Sequence, residues 1–447
     1  MSEGACVTDL GLYTDAVAMR DRLQRLLPGF ADRTLRIERL HVRQARRNAS
    51  RHRNPSPMTL CYALDVRDTV GGRTGTQVLC AQVFREMSAD AQHRGEHRSR
   101  LVAPAFGPAM AVLPELGMVV WALPNDPALP QLRTLLDPAR VAAALPWRAL
   151  GVARADVAAI DAELFRYEPQ RRATVRCTLR RHGGAPALTL FGKTFCDEQA
   201  RALQDRFAHV WRLRAPDAPR VARPLGWCAA TRTFWQAAAQ GVPLAEALDG
   251  AHGAALAARV ARALAHLHAA PLALASTEEP HSVAHWLQEA RRRQTKIGRA
   301  DPALAGRVAR IADAIEARAP RHRARPLGLV HADFHPEQVW CDGARIVLFD
   351  FDEFALGDPM EDVAAFVLKL GHAGRPPALR EAFVAAYADA APARHDRAAL
   401  GWHLAVQSLV QACRAFVFQR PGWAAELARR LAASEAHAAR LDQEPLP

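Results

Sequence analysis

Alternating apolar and polar positions mark the first half of the chain. Met58–Val66 (MTLCYALDV) and Val78–Glu86 (VLCAQVFRE) read as paired strands, with glycines at 71 and 72 between them. A second pair, Ala173–Arg181 (ATVRCTLRR) and Thr189–Asp197 (TLFGKTFCD), turns at His182-Gly183-Gly184. The pairs are offset by 115 residues (58 to 173) and 111 residues (78 to 189), so they read as a degenerate internal repeat with a shorter turn in the second copy. Gln82 of the first copy stands where the second has Lys193. Between the copies, Leu113–Val141 is punctuated by prolines and reads as a connector.

From Gly253 onward the period becomes helical. Gly253–Ala269, Trp286–Arg293, Pro302–Arg318 and most of the chain after Asp362 read as helices. The exception is VWCDGARIVLF, Val339–Phe349, an apolar hairpin with Asp342-Gly343 as its expected turn. That turn sets Gln338 opposite Val347 and His335 opposite Asp350. The expected fold class is α+β, β-rich first and helical afterwards, with boundaries near residues 140 and 235 and a hinge at Gln236.

Composition adds limits. With 447 residues, half of them hydrophobic, the chain can bury more than one core. Eight cysteines are scattered without a CxxC pair, which excludes a zinc framework of the usual spacing. No basic and apolar leader opens the chain, and Leu101–Leu123 is broken by prolines, so a cytoplasmic location and no membrane partner are expected. The net charge of +13 raises the question of a polyanion. Its densest stretch, Val42–Arg53, has no interleaved aromatics and no recognisable recognition helix, so no nucleic-acid partner is expected.

The basic residues themselves are more telling. Only Lys193, Lys296 and Lys369 are lysines among 59 Lys and Arg residues. Lys193, on a strand just before a helical segment, offers a compact ammonium suited to a phosphate. The acids gather elsewhere, in LVHADFHPEQVWCDGARIVLFDFDEF, Leu329–Phe354. The hairpin brings Asp333, His335 and Gln338 to one end with Asp350 and Asp352. Carboxylates so placed repel one another unless a divalent cation offsets them.

These motifs resemble the aminoglycoside phosphotransferase and choline kinase group of small-molecule kinases, which share the protein-kinase-like fold. The H-x-D-x-x-x-x-N signature is matched by His331, Asp333 and position 338, followed by Asp350 in LFDFD. Gly357, Asp358, Pro359 and Asp362 match the group's G-D-P-x-x-D segment. The likeness covers about Leu164 to Phe416; position 338 is glutamine in place of the usual asparagine, as in maltokinase-like sugar kinases.

The resemblance implies a two-lobed fold: an added β-rich module over residues 1–140, an N-lobe over 141–235 and a helical C-lobe over 236–447. It implies ATP and Mg2+ as cofactors and a small-molecule hydroxyl (sugar, amino alcohol or aminoglycoside-like) as acceptor. Asp333 would orient the acceptor hydroxyl, with His331 bracing its loop. Asp350 and Gln338 would hold magnesium, and Lys193 the α- and β-phosphates. Arg171 and Arg172, in the glycine-free loop Tyr167–Arg172, would cover the phosphates, and the Gln236–Ala238 hinge would meet adenine. Asp358 would cap the next helix, in a box with Glu361; Asp362 would hold the catalytic loop. Trp286, Arg291–Arg293, Trp402 and His403 are the candidates for acceptor contacts. The competing reading is a nucleotide-binding pseudokinase that serves a partner.

Overall fold

The computed structural model describes residues 11–47, 58–84, 101–212, 218–250, 252–270, 280–319, 325–418 and 422–441. Cys6, residues 48–53 of the basic stretch, and Arg85 and Glu86 of the second predicted strand lie outside these. The chain divides into two compact units. Unit 1 is Met1–Ala200 with Trp227–Trp235 and Val417–Trp423; unit 2 is Arg201–Gly226, Gln236–Phe416 and Ala424–Pro447.

The first sheet comprises β1 (Leu35–Arg47), β2 (Met58–Asp68), β3 (Thr74–Val83), β4 (Met110–Leu113) and β5 (Met118–Ala122), in the order β1-β2-β3-β5-β4. Every neighbouring pair in it is antiparallel. The helix Ala16–Leu26 starts at Asp15, whose carboxylate accepts the Val17 and Ala18 N–H groups. Its Met19 and Leu23 lie in one core with Leu60, Leu64, Leu79 and Val120 of the sheet. The other face of the sheet buries Cys61, Cys80 and Trp121, with Tyr167 packed against them.

The second sheet comprises β6 (Val157–Glu168), β7 (Arg172–Arg181), β8 (Leu188–Phe195) and, beyond the two-residue β9 (Arg220–Val221), β10 (Pro224–Cys228) and β11 (Thr233–Ala237). Its order, β10-β11-β8-β7-β6, repeats that of the first sheet: a three-strand meander, then a hairpin whose second strand lies beside the third. The registers agree as well. Cys61 faces Cys80, and 115 and 111 residues further on Arg176 faces Phe191.

The stretch expected to be a plain connector, Leu113–Val141, contains β5 and the end of β4. Its strand MVVWA is buried throughout, so no polar alternation marks it. Pro114 opens the turn before it, and Gly117, at φ +57°, closes that turn in the left-handed region.

Unit 2 is mainly helical, with two small sheets. One has the order β12-β14-β15-β9, where β12 is Val242–Pro243, β14 Val339–Asp342 and β15 Arg345–Leu348; the other pairs β13 (Gly328–Val330) with β16 (Ala355–Gly357). The β14–β15 hairpin forms, but its register differs from the expected one. Val339 faces Leu348 and Asp342 faces Arg345, so the loop is Gly343-Ala344. Glycine, at φ +57°, takes the first loop position, where only it reaches the left-handed region freely. Gln338 therefore lies level with Phe349, whose N–H it accepts at 2.9 Å, and His335 falls beyond the ladder. No helix among the described residues is long and apolar enough to cross a membrane.

Candidate active site

The loop after β13 carries His331, Ala332 and Asp333. β13 is locked against β16, with Val330 facing Ala355, so the loop leaves a fixed strand end. Ala332 has φ +65°, a costly value for a residue with a side chain. The conformation is held from the helix Met360–His372. The Asp362 carboxylate accepts the His331 N–H at 2.6 Å and the Ala332 N–H at 2.9 Å. Asp362 is fully buried and backed by His268, whose Nε2 lies 3.1 Å away and whose Nδ1 meets the Tyr387 hydroxyl at 2.7 Å. The His331 ring, also fully buried, packs between Phe334 and Phe351, with Nε2 2.6 Å from the Phe349 carbonyl.

Asp350 follows β15 at φ +61°, a second strained position in the same unit. Its Oδ2 accepts from the Gln338 amide at 3.1 Å. The glutamine, buried in the single 3-10 turn Pro336–Gln338, is thus brought to the aspartate.

Asp333 stays partly exposed, and its Oδ1 accepts from Arg414 Nη1 at 3.2 Å. His335 Nε2 lies 3.8 Å from Oδ2. Burial on its own raises the Asp333 carboxyl, but Arg414 first, then His335, His331 and Lys369, outweigh it and hold the group below its ordinary value. Burial pushes His335 down to about 4, so its imidazole is neutral near pH 7. The sequence pattern did not point to Arg414, and it singled out Lys369 only as a rare lysine. One signal was available: Lys369 follows Asp362 by seven residues, two turns on the same helix face.

Asp358 accepts the Met360 N–H at 3.0 Å and starts the helix, yet the expected capping box does not form. Glu361 turns inward, accepting from the Trp286 indole at 2.9 Å and meeting His281 Nδ1 at 3.0 Å. Asp358 is gripped by Arg325 Nε at 2.5 Å, with His403 Nε2 at 3.6 Å. Burial alone would raise its carboxyl; His403 and Arg325 hold it far below the usual carboxylate range. The expected acceptor candidates are accounted for by packing. Trp286, Trp402 and His403 are core residues, Trp402 donating to the Ile315 carbonyl at 2.9 Å. Arg291–Arg293 pair with Glu289, Asp313 and Glu316 on the helix surface.

In unit 1, Lys193 lies half-buried on β8 opposite Thr174, on the same strand face as Phe191. The preceding Gly192 is required by close packing: a Cβ there would meet the Trp235 ring at 2.8 Å and the Thr233 methyl at 2.9 Å. Arg171 and Arg172 are both engaged by Glu168, at 2.8 and 2.6 Å, together with Arg46 at 3.0 Å. Gln236, near the end of β11, is buried, and its Oε1 has no hydrogen-bond partner among the described residues; Ala238 follows the strand and is exposed.

Comparison with curated proteins finds no match. Among solved structures, the chain is similar to a choline/ethanolamine kinase family protein from Mesorhizobium loti (15% identity, 60% of this chain and 89% of that one, TM-score 0.43). It is also similar to a choline kinase from Cryptosporidium parvum (12% identity, 65% and 92%, TM-score 0.48). A third is a thermostable mutant of aminoglycoside phosphotransferase APH(4)-Ia, solved with AMP-PNP and hygromycin B (18% identity, 65% and 97%, TM-score 0.47). The resemblance read from His331, Asp333, Asp350 and the Gly357–Asp362 segment is matched at the level of the family: residues 193–400 fit the model of the phosphotransferase enzyme family, APH.

Proposed function

We propose that this protein is an ATP- and magnesium-dependent phosphotransferase acting on a hydroxyl of a small molecule, a sugar, an amino alcohol or an aminoglycoside-like compound. The observation that carries the reading is the pair of left-handed positions, Ala332 and Asp350, each beside a polar group suited to phosphoryl transfer. Asp362 holds the first, so that the next residue, Asp333, is presented on a rigid loop.

In this reading Asp333 orients the acceptor hydroxyl and takes its proton as the oxygen attacks. Its lowered pKa makes it a weak base, so positioning is its larger contribution. His331 braces the loop through the Phe349 carbonyl. Asp350 and Gln338 offer oxygen donors only, a hard set that suits magnesium, which commonly takes one or two carboxylates along with nucleotide phosphates. Bound there, the ion would neutralise phosphate charge. Gln338 would turn its amide oxygen towards the metal in place of the nitrogen now on Asp350. Lys193 would neutralise the α- and β-phosphates, and the Gln236–Ala238 backbone would meet adenine. Arg171 and Arg172 reach phosphate only by sharing their bond to Glu168. The protein works in the cytoplasm, with residues 1–140 as an added module and lobes at 141–235 and 236–447.

The test is ATP turnover with magnesium across sugars, amino alcohols and aminoglycosides. Asp333→Asn should lose roughly 10²- to 10⁴-fold in kcat. Turnover that survives this substitution would overturn the mechanism.

A further inference from the structure

We propose that the acceptor carries an anionic group, which Arg414 and Lys369 receive beside Asp333; the inference rests on the phosphotransfer reading above. Both cations belong to the same unit as the aspartate and come from different helices, Arg397–Phe418 and Met360–His372.

The two helices converge on the loop for identifiable reasons. Asp362 grips its backbone, and Phe366, one turn on, stacks with Phe334 at 5.2 Å between ring centroids. Lys369 continues this stripe by one further turn. It therefore comes within electrostatic reach of Asp333, Arg414, Glu337 and Arg430. Arg414 spends one donor on Asp333 Oδ1, and 46% of its side chain remains open to solvent. A guanidinium has five N–H donors, so most of the fork is available to a planar anion.

Charge accounting favours an anion over a cation. Arg430 is satisfied by Glu426 and the Gln411 carbonyl. Burial pushes His372 to about 4, so its imidazole adds no charge near neutral pH. Glu337 is 78% exposed and lies 4.0 Å from His335, so water screens most of its charge, including that felt by Lys369. One partly buried carboxylate, Asp333, is thus met by two cations, the half-buried Lys369 and the more exposed Arg414. Like charges so placed oppose each other's ionised form, and burial together with Arg414 lowers the Lys369 pKa. A carboxylate or phosphate on the acceptor would complete the neutralisation and fix the neighbouring hydroxyl at Asp333. A polycationic acceptor would meet two like charges.

Arg414 and Lys369 have a different role if they only stabilise charge on the transferring phosphoryl group. They would then act on every acceptor alike and show no preference in binding.

The experiment is isothermal titration of the full chain with two matched sets, glucose and glucuronate, glycerol and glycerate. At least one acid should bind roughly 10- to 100-fold tighter than its neutral partner, the worth of one charge-assisted hydrogen bond. Arg414→Gln and Lys369→Gln should each remove most of that preference, and Arg414→Lys and Lys369→Arg should keep part of it. Raising the salt should narrow it. Acids that bind no tighter than the neutral partners, including no measurable binding by any probe, overturn the proposal, as does a preference unchanged in both glutamine variants. Asp333→Asn turnover is read separately. Its survival would sink the phosphotransfer mechanism while leaving a measured charge preference standing.

Discussion

The first and second sheets have the same strand order and register, and differ in what they bury. β2 and β3 of the first sheet are covered on both faces along most of their length, by the Ala16–Leu26 helix core on one side and the Cys61–Cys80–Trp121 cluster on the other. β7 of the second sheet alternates buried and half-buried residues, and β8 keeps its Lys193 face only half-covered. At matched positions the first sheet has Gln82, 3% exposed, where the second has the half-buried Lys193. One architecture therefore serves as scaffold in one copy and leaves a strand face open in the other. An ammonium placed at Gln82 would have to be desolvated; at the half-buried Lys193 it keeps contact with solvent.

The comparison breaks most sharply at that pair. Lys193→Ala should cost roughly 10²- to 10³-fold in kcat/KM for ATP if the ammonium neutralises phosphate charge. Gln82→Met, which keeps the volume and adds no charge, should change kcat/KM by less than about twofold. Steady-state kinetics with a confirmed acceptor decides it. Equal losses at both positions would mean that the second sheet is as much a scaffold as the first.

Much of this contrast was legible in the sequence, because alternation survives wherever one strand face stays partly open. It vanishes in MVVWA, buried on both faces, and there a strand reads as a connector. The hairpin was legible and its register was not, since an Asp-Gly signal places the turn at Asp342-Gly343 while the chain turns at Gly343-Ala344. The candidate site was most legible where its residues share one short stretch, from His331 to Asp350. Arg414 lies 81 residues from Asp333, and no local pattern announces that the packing of a distant helix delivers it. Aromatic residues are ambiguous for the complementary reason: Trp286 and Trp402, candidates for acceptor contacts in the sequence, lie buried in the helical core.

The next largest effect concerns how the first sheet's trailing segment reaches the hairpin of the second. Asp126, fully buried, accepts from the Tyr167 hydroxyl at 2.7 Å, the Gln170 N–H at 2.8 Å, the Gln170 side chain at 2.7 Å and the Ala128 N–H at 2.8 Å. Gln170 has φ +66°, so these bonds also hold a strained turn. Asp126→Ala should destabilise unit 1 by roughly 3 kcal/mol, because several buried donors lose their acceptor together. Asp126→Asn should recover little, since an amide accepts through one oxygen only. Thermal unfolding measures the loss, and amide exchange at Gln170 should accelerate with it.

Packing gives a smaller contrast. Gly192 corresponds to Ala81 of the first sheet, and only at Gly192 do Trp235 and Thr233 close over the backbone. Gly192→Ala should therefore cost about 1–3 kcal/mol through overpacking. Ala81→Gly should cost about 0.5–1 kcal/mol through chain entropy in a strand. Denaturant midpoints separate the two, and equal losses would show that the ring does not enforce the glycine.

The smallest effect lies at Arg46 of β1, which bridges to Glu168 at the end of β6. Glu168 already holds Arg171 and Arg172, so three guanidinium groups share one carboxylate, and removing one also relieves repulsion between the others. Arg46→Gln should then cost no more than about 1 kcal/mol, the range of partly exposed ion pairs. Its pH dependence has a definite sign. Burial alone raises the Glu168 carboxyl, but Arg172, Arg171 and Arg46 outweigh it and set the folded value below the ordinary 4.5. The cluster's contribution is complete above that ordinary value and is lost as pH falls through the lowered one. The stability gap between wild type and Arg46→Gln should therefore be flat above about pH 5 and shrink below it. A gap that widened in acid would contradict the lowered Glu168 value, and one exceeding about 3 kcal/mol near neutrality would mean that the two sheets lean on this bridge more than on the buried Asp126 network.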